Sequence, residues 1–135
     1  MLAKFITKML QGQSPTIFGD GEQTRDFTFV DDAVKANLLA AEAPAADVSG
    51  KVFNVANGTR FSLNQTYTLL KKIIGFSGDP IYAPARTGDV KHSLADIGLA
   101  RTFLQYSPDV SFEEGLRRTV GWYKQARAGT PSLVS

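Results

Sequence analysis

Two capping signals fix where helices begin in this chain. Ser62 is followed three residues later by Gln65, and Ser111 by Glu114. At that spacing a serine hydroxyl accepts from the N–H three residues on, while the longer side chain reaches back. Behind Ser62, Leu69, Leu70 and Ile73 recur at helical spacing until Gly75, which suits a left-handed C-cap. Behind Ser111, Leu116, Val120 and Tyr123 line one face at i, i+4 and i+7. Upstream, Phe5, Ile6, Met9 and Leu10 predict a helix over 3–11 that ends at Gly12. Asp31 or Asp32 suits the N-cap of a helix through Val34, Leu38 and Ala41, stopped by Pro44. Asp96 suits the cap of a brief helix holding Ile97, Leu99 and Leu104.

The strand signals are short. They are Thr16-Ile17-Phe18, the alternating Asp26–Val30, Val52–Ala56 and Pro80–Pro84. Gly19–Glu22 and Asn57-Gly58 read as turns. Four to five helices among short strands predict a mixed α/β (α+β) layer structure. Residues 1–127 are expected to form one domain, and 128–135, rich in Gly, Thr, Pro and Ser, a flexible tail.

Composition narrows the chemistry. Fifteen Lys+Arg against thirteen Asp+Glu gives a net charge of +2, and no basic run interleaves with aromatics. Nucleic acid is therefore a poor partner. No cysteine is present, so disulfides, thiolate catalysis and Cys-ligated metals are excluded. His92 is the one histidine, which leaves little for a zinc site. The N-terminal residues show neither a signal peptide nor a membrane span, and a cytoplasmic protein is the expectation. The formal sequons at Asn57 and Asn64 read as a turn and a helix start.

No G-x-G-x-x-G follows a strand. Gly19 and Gly21 match its first spacing, but position 24 is Thr and no helix follows. Gly50-Lys51 is not a Walker A loop. Tyr67 and Lys71 share a helix face at Y-x-x-x-K, the spacing of a phenol–ammonium acid/base pair. An amphipathic helix accounts for them more simply. Ser93 beside His92 is too close in sequence for triad geometry.

The positive signal is a pair of arginines, each near a carboxylate: Arg25-Asp26 after the glycine-rich loop, and Arg86-Thr87-Gly88-Asp89 after Pro84. A guanidinium fork fits phosphate oxygens bidentately, so two such loops can clamp a diphosphate. The competing reading pairs each arginine with its own aspartate at the surface. Spacing alone leaves both open.

The run from Thr16-Ile17-Phe18-Gly19-Asp20-Gly21 through Thr24-Arg25-Asp26-Phe27 to Asp31-Asp32 resembles a segment of a known family. It is similar to the opening of the C-terminal half of extended short-chain dehydrogenase/reductase enzymes, the NAD-dependent nucleotide-sugar epimerases and dehydratases. Val52–Gly58 resembles that family's late strand, and Phe112–Leu116 the start of its final helix. Arg86–Asp96 is similar to the second diphosphate-binding segment of its UDP-hexose and UDP-N-acetylhexosamine 4-epimerases. The likeness runs from about residue 3 to residue 125.

The resemblance implies roles. Arg25 and Arg86 would hold the UDP diphosphate, and Asp89 would accept from ribose hydroxyls. Thr16, Ile17 and Phe18 would lie along uracil, with main-chain groups at its edge and Phe18 beside the ring. In the family, NAD and the catalytic Tyr/Lys belong to an N-terminal Rossmann half. That half is expected to be missing here, so Tyr67 and Lys71 inherit no catalytic role and no cofactor site is expected in this chain. Apolar faces around Val34 and Val52 are expected to need another home, by self-association or strand exchange. The implied function is the UDP-sugar-binding portion of a 4-epimerase, inactive alone. A stand-alone binding module, a portion completed by a separate Rossmann chain, and a related decarboxylase or 4,6-dehydratase are the alternatives.

Overall fold

The computed structural model describes residues 1–128. The order is α1 (Leu2–Leu10), β1 (Thr16–Phe18), β2 (Thr24–Arg25), α2 (Val30–Glu42), α3 (Ala45–Val48), β3 (Phe61–Ser62), α4 (Leu63–Ile74), β4 (Ile81–Ala83), α5 (Gly98–Leu104) and α6 (Phe112–Ala128). The expected mixed α/β architecture is present, with six helices among the described residues where four to five were expected. The expected tail at 128–135 lies, beyond Ala128, outside the described residues.

Both capping serines work, by different means. The Ser62 hydroxyl accepts from Gln65 N–H at 3.1 Å, and Gln65 Oε1 accepts from Ser62 N–H at 2.8 Å. Gly75 closes α4 with φ +79°. The Ser111 hydroxyl accepts from Glu114 N–H at 3.3 Å, but Glu114 turns forward to Arg118 at 2.8 Å instead of back. The nearby guanidinium captures the carboxylate, leaving half a box.

Two apolar cores result. In the first, α1, α4 and α6 pack through Phe5, Ile6, Met9, Leu70, Leu116 and Val120, with Ile17 of β1 beneath them. Phe112 stacks on Phe27 and Phe61, at centroid separations of 4.9 and 4.3 Å. In the second, α2 and α5 close over Ala36, Ala56, Ile97, Ala100, Leu104 and Tyr106. Both sheets are small: β1 pairs parallel with β4, and β2 antiparallel with β3.

Three expectations are corrected. Asp26–Val30 is not a strand: β2 stops at Arg25 and α2 starts at Val30. The alternation of Phe27 and Phe29 comes from ring contacts, not from a ladder: Phe27 lies on Phe112, Phe29 beneath the Arg118 guanidinium. Neither Asp31 nor Asp32 caps α2, whose N-cap is Phe29 with no side-chain bond. Asp32 is instead buried and accepts from Asp109 N–H and Val110 N–H at 2.8 and 3.3 Å. Val52–Ala56 is not a strand either, because no neighbouring strand lies along it among the described residues. It is tied at isolated points instead: Asn54 donates to Asp96 O at 3.2 Å, and Tyr106 OH to Ala56 O at 3.0 Å. The short α3, which begins after Pro44, was not legible from periodicity.

Asp96 accepts from Gly98 N–H at 2.8 Å at the start of α5, although Ile97 holds the cap position. Val30, Val34 and Leu38 form an exposed stripe on α2 at 63, 53 and 58% exposure, and Val52 stands 84% exposed beside the unpaired segment. These are the faces expected to need another home.

Candidate functional site

A cavity of about 630 Å³ opens between α1, β1, β2 and the loop after β4. Thr16, Phe18, Arg25, Arg86 and Asp89 all line it. Five of the six residues expected at the site therefore meet on one surface, although 73 positions of sequence separate Thr16 from Asp89 (89 − 16).

The β1–β4 register explains the sixth. Ile81 N–H bonds Pro15 O at 2.9 Å and Gly19 N–H bonds Ala83 O at 2.8 Å. These bonds flank Ile17, so its main-chain groups serve the ladder and its side chain is fully buried in the first core. Thr16 and Phe18 turn their main-chain groups to the opposite edge. Ile17 thus supports that edge without lining the cavity.

The two arginine segments are stitched together beside Arg25. Thr24 N–H donates to Lys91 O at 2.9 Å, and Ser93 N–H to Thr24 O at 3.1 Å. Thr24 Oγ1 and His92 Nδ1 lie 3.0 Å apart, so His92 serves this junction and not Ser93. At the other end, β4 hangs the loop from β1. Within it, Gly88 takes φ +86° and Asp89 N–H turns back to Arg86 O at 3.4 Å. That turn sets Arg86 and Asp89 on the same cavity wall.

Neither arginine is neutralised by its neighbouring aspartate. Among the described residues, no ion pair involves Arg25 or Arg86. Arg25 Nη1 donates to Thr24 O at 2.8 Å and reaches Lys91 O at 3.5 Å. The Arg86 guanidinium lies 3.8 Å over the Phe18 ring. Asp26 lines the cavity but spends its oxygens on main-chain donors and not on Arg25, accepting from Asn57 N–H and Gly58 N–H, each at 3.1 Å. The surface ion-pair reading is therefore not what the chain does, and both guanidinium charges stay available to an anion.

Lys4 and Lys8 also line the cavity, one helical turn apart on α1. The sequence reading missed them. Their i, i+4 spacing put them on one face, but only the fold shows which cavity that face meets. With Arg25 and Arg86 they make four cationic side chains against the two carboxylates of Asp26 and Asp89. That excess matches a dianionic group such as a diphosphate. Gln23 is a further lining residue. It donates to Phe18 O at 2.5 Å, and its Oε1 is buried without a partner.

The Y-x-x-x-K pair sits elsewhere. The Tyr67 hydroxyl donates to Gly78 O at 2.6 Å, and Lys71 pairs with Asp79 at 3.1 Å. Burial pushes the Tyr67 pKa up, the effect of Lys71 notwithstanding. An acid/base tyrosine needs the reverse, so the amphipathic-helix reading holds, with Tyr67 in the core and not at its rim. Among the described residues, no group of three His, Asp or Glu side chains could hold a metal. No described helix is long and apolar enough to cross a membrane.

The family model described as NAD dependent epimerase/dehydratase matches residues 1–56. Beyond that span, the chain overlays the C-terminal portion of solved epimerases. The chain belongs to this family. The UDP-glucose 4-epimerase of Thermotoga maritima, solved with UDP-glucose, is 43% identical with a TM-score of 0.87, over 93% of this chain and 40% of that one. The UDP-glucuronic acid 4-epimerase of Bacillus cereus, solved with UDP-glucuronic acid and NAD, is 37% identical with a TM-score of 0.86, again over 93% and 40%. UDP-glucuronic acid decarboxylase 1 of Xenopus tropicalis is 31% identical over 93% of this chain and 29% of its own length. The chain thus spans 40% or less of each of these three relatives.

Proposed function

We propose that this chain is the UDP-sugar-binding portion of an NAD-dependent nucleotide-sugar 4-epimerase, without epimerase activity by itself. The observation that carries the reading is one cavity in which Arg25, Arg86 and Asp89 converge beside Thr16 and Phe18. The two guanidinium groups hold the diphosphate and Asp89 accepts from ribose hydroxyls. Thr16 offers its main-chain groups and Phe18 its main-chain N–H to the uracil edge, the Phe18 carbonyl being taken by Gln23. The nucleotide-sugar ligands of the two 4-epimerase relatives support this choice.

NAD belongs to the whole family enzyme in this reading. The described residues do not fit it: Gly19 and Gly21, at φ +83° and +77°, lead into β2 and not into a helix. A Cβ at Gly21 would fall 2.1 Å from Asn64 Oδ1, so that turn is filled by a side chain and leaves no cradle for a pyrophosphate. The aliphatic stripe on α2 supports association with a further sheet-bearing half, or self-association without it. Light scattering well above micromolar concentration reads that directly, and a monomeric mass argues against self-association.

The decarboxylase relative favours a second reading, the same nucleotide-sugar grip serving a decarboxylase. Titration calorimetry of this chain with UDP, UDP-glucose and NAD tests the main one. UDP binding that Arg25→Ala and Arg86→Ala each weaken at least about tenfold is the expected result. Absence of UDP binding overturns the nucleotide site, and NAD binding overturns the placement of the cofactor outside these residues.

A further inference from the structure

We propose that Asp26 is a positioning residue: its carboxylate locks the backbone that aims Arg25 into the cavity. The proposal rests on the nucleotide-diphosphate reading of that cavity.

Asp26 lines the cavity, yet its two oxygens are already spent. Oδ1 accepts from Asn57 N–H and Oδ2 from Gly58 N–H, both at 3.1 Å. Two consecutive main-chain donors thus grip one carboxylate, so it has little capacity left for a ligand hydroxyl or a proton.

The chain around Arg25 is held at both neighbours. On one side Thr24 is paired with Ser62 in β3 and bridged to residues 91–93. On the other side, β2 ends at Arg25 and no ladder continues. There the Asp26 carboxylate takes over the hydrogen bonding, ahead of the Phe27 ring stacked on Phe112. The main chain of Arg25 is paired with Phe61 in β3, and its guanidinium is held by the carbonyls of Thr24 and Lys91. The direction of its side chain therefore follows from the β2–β3 pairing up to Arg25 and from where Asp26 sits beyond it.

The grip also reaches the second core. Asn57 donates through its side chain to Val110 O at 3.2 Å. Ile97 packs so closely that a Cβ at Gly58 would meet it at 3.1 Å. The preceding Ala56 is buried there and accepts from Tyr106 OH. Asp26 is the side chain that joins this core to the arginine side of the cavity, whose other walls belong to the first core. It couples the aim of Arg25 to the packing of α2 and α5.

Asp26→Asn separates positioning from charge, because the two predict opposite signs. Removing a negative charge beside a dianion tightens binding if electrostatics alone matters. Asparagine keeps one acceptor but turns an NH₂ toward the second main-chain donor, which opens the grip. Positioning therefore predicts UDP binding weaker by about fivefold or more, with uridine unchanged within about twofold, since uridine carries no phosphate for Arg25. UDP affinity that is equal or tighter overturns the proposal. So does an equal loss for uridine, which marks a merely structural defect.

A ligand-free reading keeps the test independent of the nucleotide assignment. In a ¹H–¹⁵N spectrum, the Asn57 and Gly58 amides and the Arg25 Nε–Hε resonance shift together in Asp26→Asn. Movement of the amides with Arg25 unmoved overturns the coupling. Wild-type chain that ignores UDP while these resonances shift together refutes the nucleotide site and leaves the coupling standing.

Discussion

Among the described residues the Arg86 guanidinium has one partner, the Phe18 ring 3.8 Å below it. That stack is worth about 0.5–1 kcal/mol at an exposed position. A hydrogen bond from its fork to a phosphate adds about 1.5 kcal/mol, the low end for charged groups, because Arg86 is exposed. The stack is present with or without ligand, so Arg86→Ala loses about 1.5 kcal/mol of UDP binding, or about tenfold in affinity. Phe18→Leu removes the shelf and weakens UDP about two- to fivefold. The two losses are not independent, because the shelf holds the fork in place. A double-mutant cycle read by titration calorimetry gives a coupling of about 0.5–1 kcal/mol. Uridine binding stays unchanged in Arg86→Ala and weakens in Phe18→Leu. Strict additivity of the two variants refutes the shelf. An equal loss of UDP and uridine in Arg86→Ala refutes the phosphate contact.

Two further outcomes follow from the same geometry. Lys4→Gln and Lys8→Gln each weaken UDP about two- to fivefold at low ionic strength, with the difference vanishing near about 1 M salt; a salt-independent loss contradicts a purely electrostatic role. Burial raises the Tyr67 pKa above 10.0, so its share of stability is full below that value and falls as pH climbs through the raised folded value. Urea unfolding of wild type and Tyr67→Phe between about pH 8 and pH 11 reads this as a stability gap that narrows upward, and a widening gap reverses the sign.

The local elements were legible because their signals are local. Ser62 with Gln65 fixed the start of α4 and Gly75 its end, since capping depends on residues three or four apart. The Thr16–Phe18 strand was found through composition, and both arginine segments through their turns. What failed were features decided by distant partners. Phe27 and Phe29 alternate as a strand does, but aromatic and guanidinium neighbours, not a ladder, set that pattern. Asp32 looks like a cap, and is instead drawn to main-chain donors 77 and 78 residues away. Val52–Ala56 has strand composition without a neighbour to pair with among the described residues.

The sequence by itself determined five of the six described helices and the ends of α4, the absence of thiol chemistry, and which arginines to watch. It left open whether those arginines served their own aspartates or a shared anion. Tertiary structure decided that question. Parallel pairing of β1 with β4 and the Thr24 bridge to residues 91–93 bring Arg25 and Arg86 to one cavity. The Asn57 and Gly58 amides then draw Asp26 away and leave its neighbour's charge free. A carboxylate goes where desolvated donors need it most, and spacing along the chain does not record where those donors are.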